Sequence, residues 1–182
     1  VTNDDSVHAK GIKELVTVAK EFGDVLVVAP NKPQSGMGHA ITITKPLRLE
    51  SYNGFDGVEA YSCSGTPVDC VKLAVFEILK RKPDLLLSGI NHGENSSTNV
   101  LYSGTMSAAI EGAMEGIPSI GFSLADFNSN ADFSAVKNVA TELIPHILNK
   151  GLPHNTALNV NVPKVSPKNL KGIKVCAQAH AY

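Results

Sequence analysis

Three cysteines, Cys63, Cys70 and Cys176, form an odd set without CxxC or Cys/His spacing, which excludes a disulfide framework and a structural zinc site. Reduced core or half-buried thiols are what such a set implies, and they suit a cytoplasmic location. An excess of charge of one sign is also missing. Sixteen Lys plus Arg face seventeen Asp plus Glu, a formal charge of -1, so the basic surplus of a general nucleic-acid binder is absent. Any anionic ligand must be held by local groups. The longest apolar runs, Val25 to Ala29 and Leu85 to Leu87 with their neighbours, fall far below the roughly 20 residues that cross a bilayer. No membrane partner is expected. The opening Val1-Thr2-Asn3-Asp4-Asp5 carries no basic leader or apolar signal core, so no targeting segment is read there. Repeats and low-complexity linkers are lacking too, and the 182 residues, 43% of them hydrophobic, are enough to enclose one core.

Two apolar periods alternate along the chain, which predicts an α/β fold. Ile12, Leu15, Val16 and Ala19 keep helical spacing and lead into the strand Val25 to Ala29. Thr66-Pro67 reads as an N-cap and first-turn proline ahead of the stripe Val71, Ala74, Val75, Ile78 and Leu79, which Lys82-Pro83 ends. Asp84 to Ser88 is a short continuous apolar strand, the kind buried on both faces of a parallel sheet. A helix over Ser103 to Glu115, a strand over Ile117 to Phe122, a Pro145-containing helix over Val136 to Leu148 and strands at Leu158 to Val162 and Ile173 to Ala177 complete the expectation. Ile41 to Thr44 alternates, and Tyr61 to Cys63 is expected to pair back in a hairpin-like excursion. Val1-Thr2 is too short for a strand of its own; the expectation is a strand that begins upstream.

Loops beyond the carboxyl ends of parallel strands face one crevice, and four of them are polar or rich in small residues: Asn3-Asp4-Asp5, Pro33 to His39, Ser88 to Asn95 and Tyr102 to Thr105. Two adjacent carboxylates repel when desolvated, so Asp4-Asp5 needs solvent or a cation. Oxygen donors from Asp, Asn and Ser suit one hard divalent ion such as Mg²⁺ or Mn²⁺ better than zinc. The alternative is that Asp5 caps the next helix and Asp4 is solvated. Ser103, Gly104 and Thr105 open a helix whose free N–H groups and hydroxyls suit a phosphate, or serve only as ordinary capping. Gly36-Met37-Gly38 lacks the third glycine of a dinucleotide fingerprint, Ile41 standing in its place, and no P-loop pattern occurs. Gly121 to Ala125 imitates a nucleophile elbow, but its last glycine is replaced and a loop follows where the elbow demands a helix. His8, His39 and His92 sit in or near candidate loops, whereas His146, His154 and His180 have no supporting motif.

These segments, joined by Gly65-Thr66-Pro67 with Asp69-Cys70-Val71, by Ser88-Gly89-Ile90-Asn91 with Gly93 and Asn95, and by Tyr102-Ser103-Gly104-Thr105 with Glu111-Gly112, resemble the SurE family of metal-dependent 5'-nucleotidases. Weaker similarity continues through Leu158 to Pro163. The resemblance implies a single Rossmann-like domain over 1–182, a mostly parallel sheet with helices on both faces, lacking part of the first strand and a C-terminal segment. It implies hydrolysis of nucleoside monophosphates to nucleoside and phosphate. Asp4, Asp5, Ser35 and Asn91 would hold the divalent ion, and Asn95 with Ser103, Gly104 and Thr105 would face the phosphate. Asp4 or Asp5 would take the proton of the attacking water; the DxDx(T/V) pattern that accompanies an aspartyl-phosphate intermediate is absent. A homodimer or homotetramer is implied as well. The alternative is a noncatalytic nucleotide-binding protein, toward which Ser6 points, because the family usually has glycine directly after the two aspartates.

Overall fold

The computed structural model describes residues 1–179. Among them, strands β1 (Leu26–Pro30), β2 (Leu49–Ser51), β3 (Glu59–Cys63), β4 (Leu86–His92), β5 (Ser119–Ala125) and β6 (Ala157–Pro163) alternate with helices α1 (Lys10–Ala19), α2 (Pro67–Lys72), α3 (Gly104–Met114) and α4 (Ser134–Lys150). The α/β expectation holds. β3 pairs parallel with β1 and antiparallel with β2, while β4, β5 and β6 run parallel in that order.

Val1 and Thr2 stitch these two three-stranded groups together. The Val28 N–H donates to the Val1 carbonyl (3.1 Å), the Thr2 N–H to the Leu87 carbonyl (2.9 Å) and the Gly89 N–H to the Thr2 carbonyl (3.0 Å). Thr2 thereby bridges Ser88 in parallel. The carboxylates that follow are delivered to the carboxyl edge of the sheet, where β1 and β4 end. A cavity of about 350 Å³ lined by Val25, Leu26, Val75, Leu85 and Leu86 lies at the opposite, amino edge, away from them.

α1 and α4 cover one face, burying Leu15, Val18, Phe133, Val136, Ala140 and Ile144 against Leu87, Ile90, Ile120, Phe122 and Leu124. Each large side chain so buried contributes roughly 1.5–3 kcal/mol. α2 and α3 cover the other face, where Val71, Val75 and Ala108 meet Leu86 and Ile117. α1 follows its apolar spacing, with Ile12, Leu15, Val16 and Ala19 all buried. α2 begins as read, on Thr66 and Pro67, and gains a capping box: the Thr66 side chain accepts the Asp69 N–H while Asp69 accepts the Thr66 N–H. Nine residues of α3 are buried, seven of them small (Gly104, Thr105, Ser107, Ala108, Ala109, Gly112 and Ala113), which lets it lie close to the strands.

Several expectations are corrected. The α2 stripe is α-helical only to Lys72 and continues as wider π turns over Leu73–Leu79, ending at Lys80 in the left-handed region (φ 51), ahead of Lys82-Pro83. β4 starts later than read and extends to His92, so Asn91 stands on a strand rather than in a loop. Ile41 to Thr44 forms no strand; Ile43 is 82% exposed, and the antiparallel partner of β3 is Leu49–Ser51. The backbone there is taken by side chains instead, Thr66 Oγ1 donating to the Ala40 carbonyl and Asp69 accepting from the Thr42 N–H. Ile173 to Ala177 is exposed and irregular rather than a strand. His180 lies outside the described residues.

Candidate metal and phosphate site

Past Thr2 the chain turns through Asn3 to Ser6 before entering α1. Asn3 is buried and its Nδ2 donates to the Ser6 carbonyl (2.9 Å), closing the turn. Asp4 is 4% exposed, and its Oδ1 accepts the Thr105 hydroxyl at 2.5 Å. Asp5 accepts the His92 N–H on Oδ2 (3.3 Å). It does not cap α1, whose N-cap is Ala9 with no side-chain bond. Among the described residues, neither carboxylate has a Lys, Arg or His partner within 4.0 Å. Burial pushes the Asp4 carboxyl up to about 6; the Thr105 hydroxyl opposes this and the neighbouring Asp5 charge adds to it. Burial also raises Asp5, against the pull of the His92 N–H and ring.

The Asp4 shift has a measurable consequence in metal-free buffer. Its folded value, about 6, lies above the ordinary 3.8, so between those values the folded chain binds more protons than the unfolded one and stability falls as pH rises. The loss is on the order of 3 kcal/mol once pH passes the folded value. Urea unfolding across this range, compared with Asp4→Asn, isolates it: the variant lacks this fall, and identical curves for the two proteins would refute the assignment.

The loop after β1 reaches the same turn, the Gln34 N–H donating to the Asp4 carbonyl (2.8 Å). Ser35, the next residue, is exposed. Asn91 follows a register shift between Ser88 and Asn91 in the β4–β5 pairing, an irregularity that re-aims side chains. Its Nδ2 donates to the Gly93 carbonyl (2.7 Å), leaving its oxygen available. The fold thus gathers Asp4, Asp5, Ser35 and Asn91 at one edge. No group of three or more His, Cys, Asp or Glu is placed to hold a metal ion by itself among the described residues. Two carboxylates without a basic partner beside two neutral oxygens fit a hard divalent ion better than zinc.

α3 points its amino end at this pair. Ser103 is the N-cap and accepts the Met106 N–H (3.0 Å), keeping its own proton to donate. Thr105 is fully buried with its hydroxyl given to Asp4. Both capping and carboxylate contact therefore operate in one turn. At Gly104 a Cβ would stand 2.6 Å from that of Asp4, so only glycine permits this approach. Asn95 is buried; its Nδ2 donates to Ser123 Oγ (2.8 Å). Asn161 clasps its backbone, accepting the Asn95 N–H (2.7 Å) and donating to the Asn95 carbonyl (3.2 Å), where Asn159 also donates (2.7 Å).

The family model described as Survival protein SurE matches residues 1–182. This chain belongs to the SurE family. It is 59% identical over 182 residues to the 5'-nucleotidase SurE of Cytophaga hutchinsonii, covering 100% of this chain and 70% of that protein. Against the 5'-nucleotidase SurE of Flavobacterium johnsoniae it is 61% identical over 183 residues, covering 100% and 71%. The crystal structure of the SurE protein from Aquifex aeolicus matches with a TM-score of 0.87 at 42% identity, covering 98% of this chain and 71% of that one.

The residue after the two aspartates, where the resemblance led to an expectation of glycine, is Ser6, and it sits at φ 91. A side chain there costs about 1 kcal/mol relative to glycine. Its hydroxyl recovers little, accepting the His8 N–H at 3.3 Å. Ser6→Gly is expected to stabilise the chain by about 1 kcal/mol, read as a higher urea midpoint, with activity equal or raised; a lower midpoint would mean the turn depends on that hydroxyl.

Other residues named from the sequence, as motif or loop residues without a site role, have defined partners in the fold. Glu111 of α3, 3% exposed, binds His39 Nε2 (2.7 Å) and Lys72 Nζ (2.6 Å). Burial raises the Glu111 carboxyl, yet these two partners outweigh it and hold it below the usual carboxylate range. His39 therefore bonds a carboxylate rather than backbone. His92 packs its ring edge-on against Phe133 (5.0 Å). Ser123 is fully buried inside β5, so the elbow-like sequence forms no elbow. The three cysteines are unpaired, Cys63 and Cys70 buried and Cys176 exposed.

Proposed function

We propose that this chain hydrolyses nucleoside monophosphates to nucleoside and phosphate as a divalent-metal-dependent 5'-nucleotidase, with Asp4, Asp5, Ser35 and Asn91 holding one Mg²⁺ or Mn²⁺. The observation that carries the reading is the adjacent, largely desolvated carboxylate pair without a basic partner, facing the amino end of α3. The relatives' name, 5'-nucleotidase SurE, supports the substrate class. When bound, the ion supplies Lewis-acid polarisation of a phosphoryl oxygen.

The chain's own groups do the rest. The Ser103 hydroxyl and the N–H of Gly104 donate to the phosphoryl oxygens, with the positive end of α3 behind them. The Nδ2 of Asn95 adds a donor, fixed by the Asn161 clasp and by Ser123. Thr105 acts through Asp4, donating to its Oδ1 and so fixing the carboxylate plane. Asp5, the less buried of the pair, takes the proton of the attacking water on Oδ1, its Oδ2 being engaged by His92.

No helix among the described residues is long and apolar enough to cross a membrane. A cytoplasmic location is part of the proposal, since unpaired thiols persist in reducing compartments. So is a homodimer or homotetramer: Phe76 and Met114 leave 53% and 66% of their surface exposed, a liability that association relieves. Phosphate release measured on chelated protein, with each divalent ion restored and a panel of nucleotides, tests the activity. Release is expected only with an ion present. Nucleotide binding without release under every ion would leave a noncatalytic nucleotide-binding protein.

A further inference from the structure

We propose that Glu111, acting through His39, is a positioning residue that holds the Ser35 loop against the Asp4-Asp5 turn and thereby sets the affinity of the site for a divalent ion. This rests on Ser35 being a ligand, as argued above. Between β1 and β2 the chain runs from 31 to 48 without regular structure, so nothing in a ladder or helix fixes Ser35. Its place is set by anchors on either side. Upstream, the Gln34 N–H binds the Asp4 carbonyl (2.8 Å); downstream, the Gly38 N–H binds the Tyr102 carbonyl (3.1 Å). Immediately after Gly38 comes His39, whose Nε2 meets Glu111 at 2.7 Å. This is a side-chain hydrogen bond from the loop to α3, made to a carboxylate that is itself buried.

Helix α3 is thus common to both halves of the site. Thr105 in its first turn bonds Asp4, and Glu111, six residues on and so about 9 Å along the axis, bonds the loop. One rigid element sets the separation between the carboxylate turn and the serine loop. Lys72 of α2 binds the second oxygen of Glu111 (2.6 Å), which fixes the rotation of the carboxylate and aims its other oxygen at His39. Hydrogen bonds to an ionised group are roughly twice as strong as neutral ones, so removing the charge weakens this anchor in particular. Groups that orient ligands without touching the ion typically change metal affinity by about 10- to 100-fold when replaced.

The test is Mn²⁺ titration of the metal-free chain by calorimetry for wild type, Ser35→Ala, Glu111→Gln, His39→Asn and the Glu111→Gln/His39→Asn double variant, with hydrogen exchange followed at the Gly38 amide. His39→Asn breaks the same link from the part-exposed side, should Glu111→Gln unfold. The expected result is a Kd raised about 10-fold or more in each single variant, a double variant no weaker than the worse single, and faster exchange at Gly38 in both loop-anchor variants. A folded Glu111→Gln and His39→Asn that bind Mn²⁺ like wild type, while Ser35→Ala binds weakly, overturn the positioning role alone. Wild-type affinity in Ser35→Ala overturns the ligand assignment and this inference with it.

Discussion

Asp4→Asn lowers phosphate release from a nucleoside monophosphate at least about 100-fold, the upper end of what replacing a group that merely orients a metal ligand costs, and leaves the chain folded. The carboxylate accepts the Thr105 hydroxyl and lies against the amino end of α3, both of which favour an acceptor and a negative charge. Asparagine keeps the shape but halves the acceptors, and its NH₂ has to face either the Thr105 proton or the ion. Metal affinity and the anchoring of the carboxylate plane are lost together. The unfolding free energy at neutral pH, in contrast, is expected to hold or rise in metal-free buffer, because a costly buried carboxylate has been neutralised. Steady-state release with saturating Mg²⁺ or Mn²⁺, run beside urea unfolding, separates these effects. Activity within tenfold of wild type would show that Asp4 does not belong to the reacting centre.

Gly11→Ala is expected to be the most damaging single methyl in α1. A Cβ at that position would stand 2.0 Å from the Ile90 carbonyl oxygen and 3.0 Å from its carbon, and the obstruction is backbone on a central strand rather than a movable side chain. Helix or strand must give way, at about 3 kcal/mol, the upper end of what overpacking costs. For a domain of this length that corresponds to a melting temperature lower by roughly 6–12 °C. Helix propensity favours alanine over glycine by about 1 kcal/mol, so an unchanged or higher melting temperature would show that α1 has room to move. Because Ile90 immediately precedes Asn91, the surviving folded fraction should also bind Mn²⁺ more weakly.

Much of the fold was readable because its signals are local. The α1 spacing, the Thr66-Pro67 start and the β-branched run before Pro30 each carry their own periodicity or cap, and each appears nearly where it was read. Ile41 to Thr44 misled because alternation reports a strand only if another strand is available, and here the helix caps of α2 claim the backbone first. Leu49 to Ser51 was missed for the converse reason: three residues are too few for a period, and their pairing with β3 is decided by chain geometry. The site divides the same way. Asp4-Asp5 and the Ser103 turn stand out by residue type at element ends. Ser35 is one serine among many and was proposed only from its motif. Glu111 entered only as part of the motif; its contact with a loop histidine 72 positions away is something no local pattern encodes.

The stitch made by Val1 and Thr2 gives the site a property that its residues alone do not have. The carboxylates hang from the seam between the two strand groups, Ser35 belongs to the β1 side and Asn91 to the β4 side. Neither group of strands, formed by itself, contains the donor set. If the proposed donor set holds the ion, ion binding would report the closure of the whole sheet, and an opening along that seam would dismantle the site before either half lost its own hydrogen bonds.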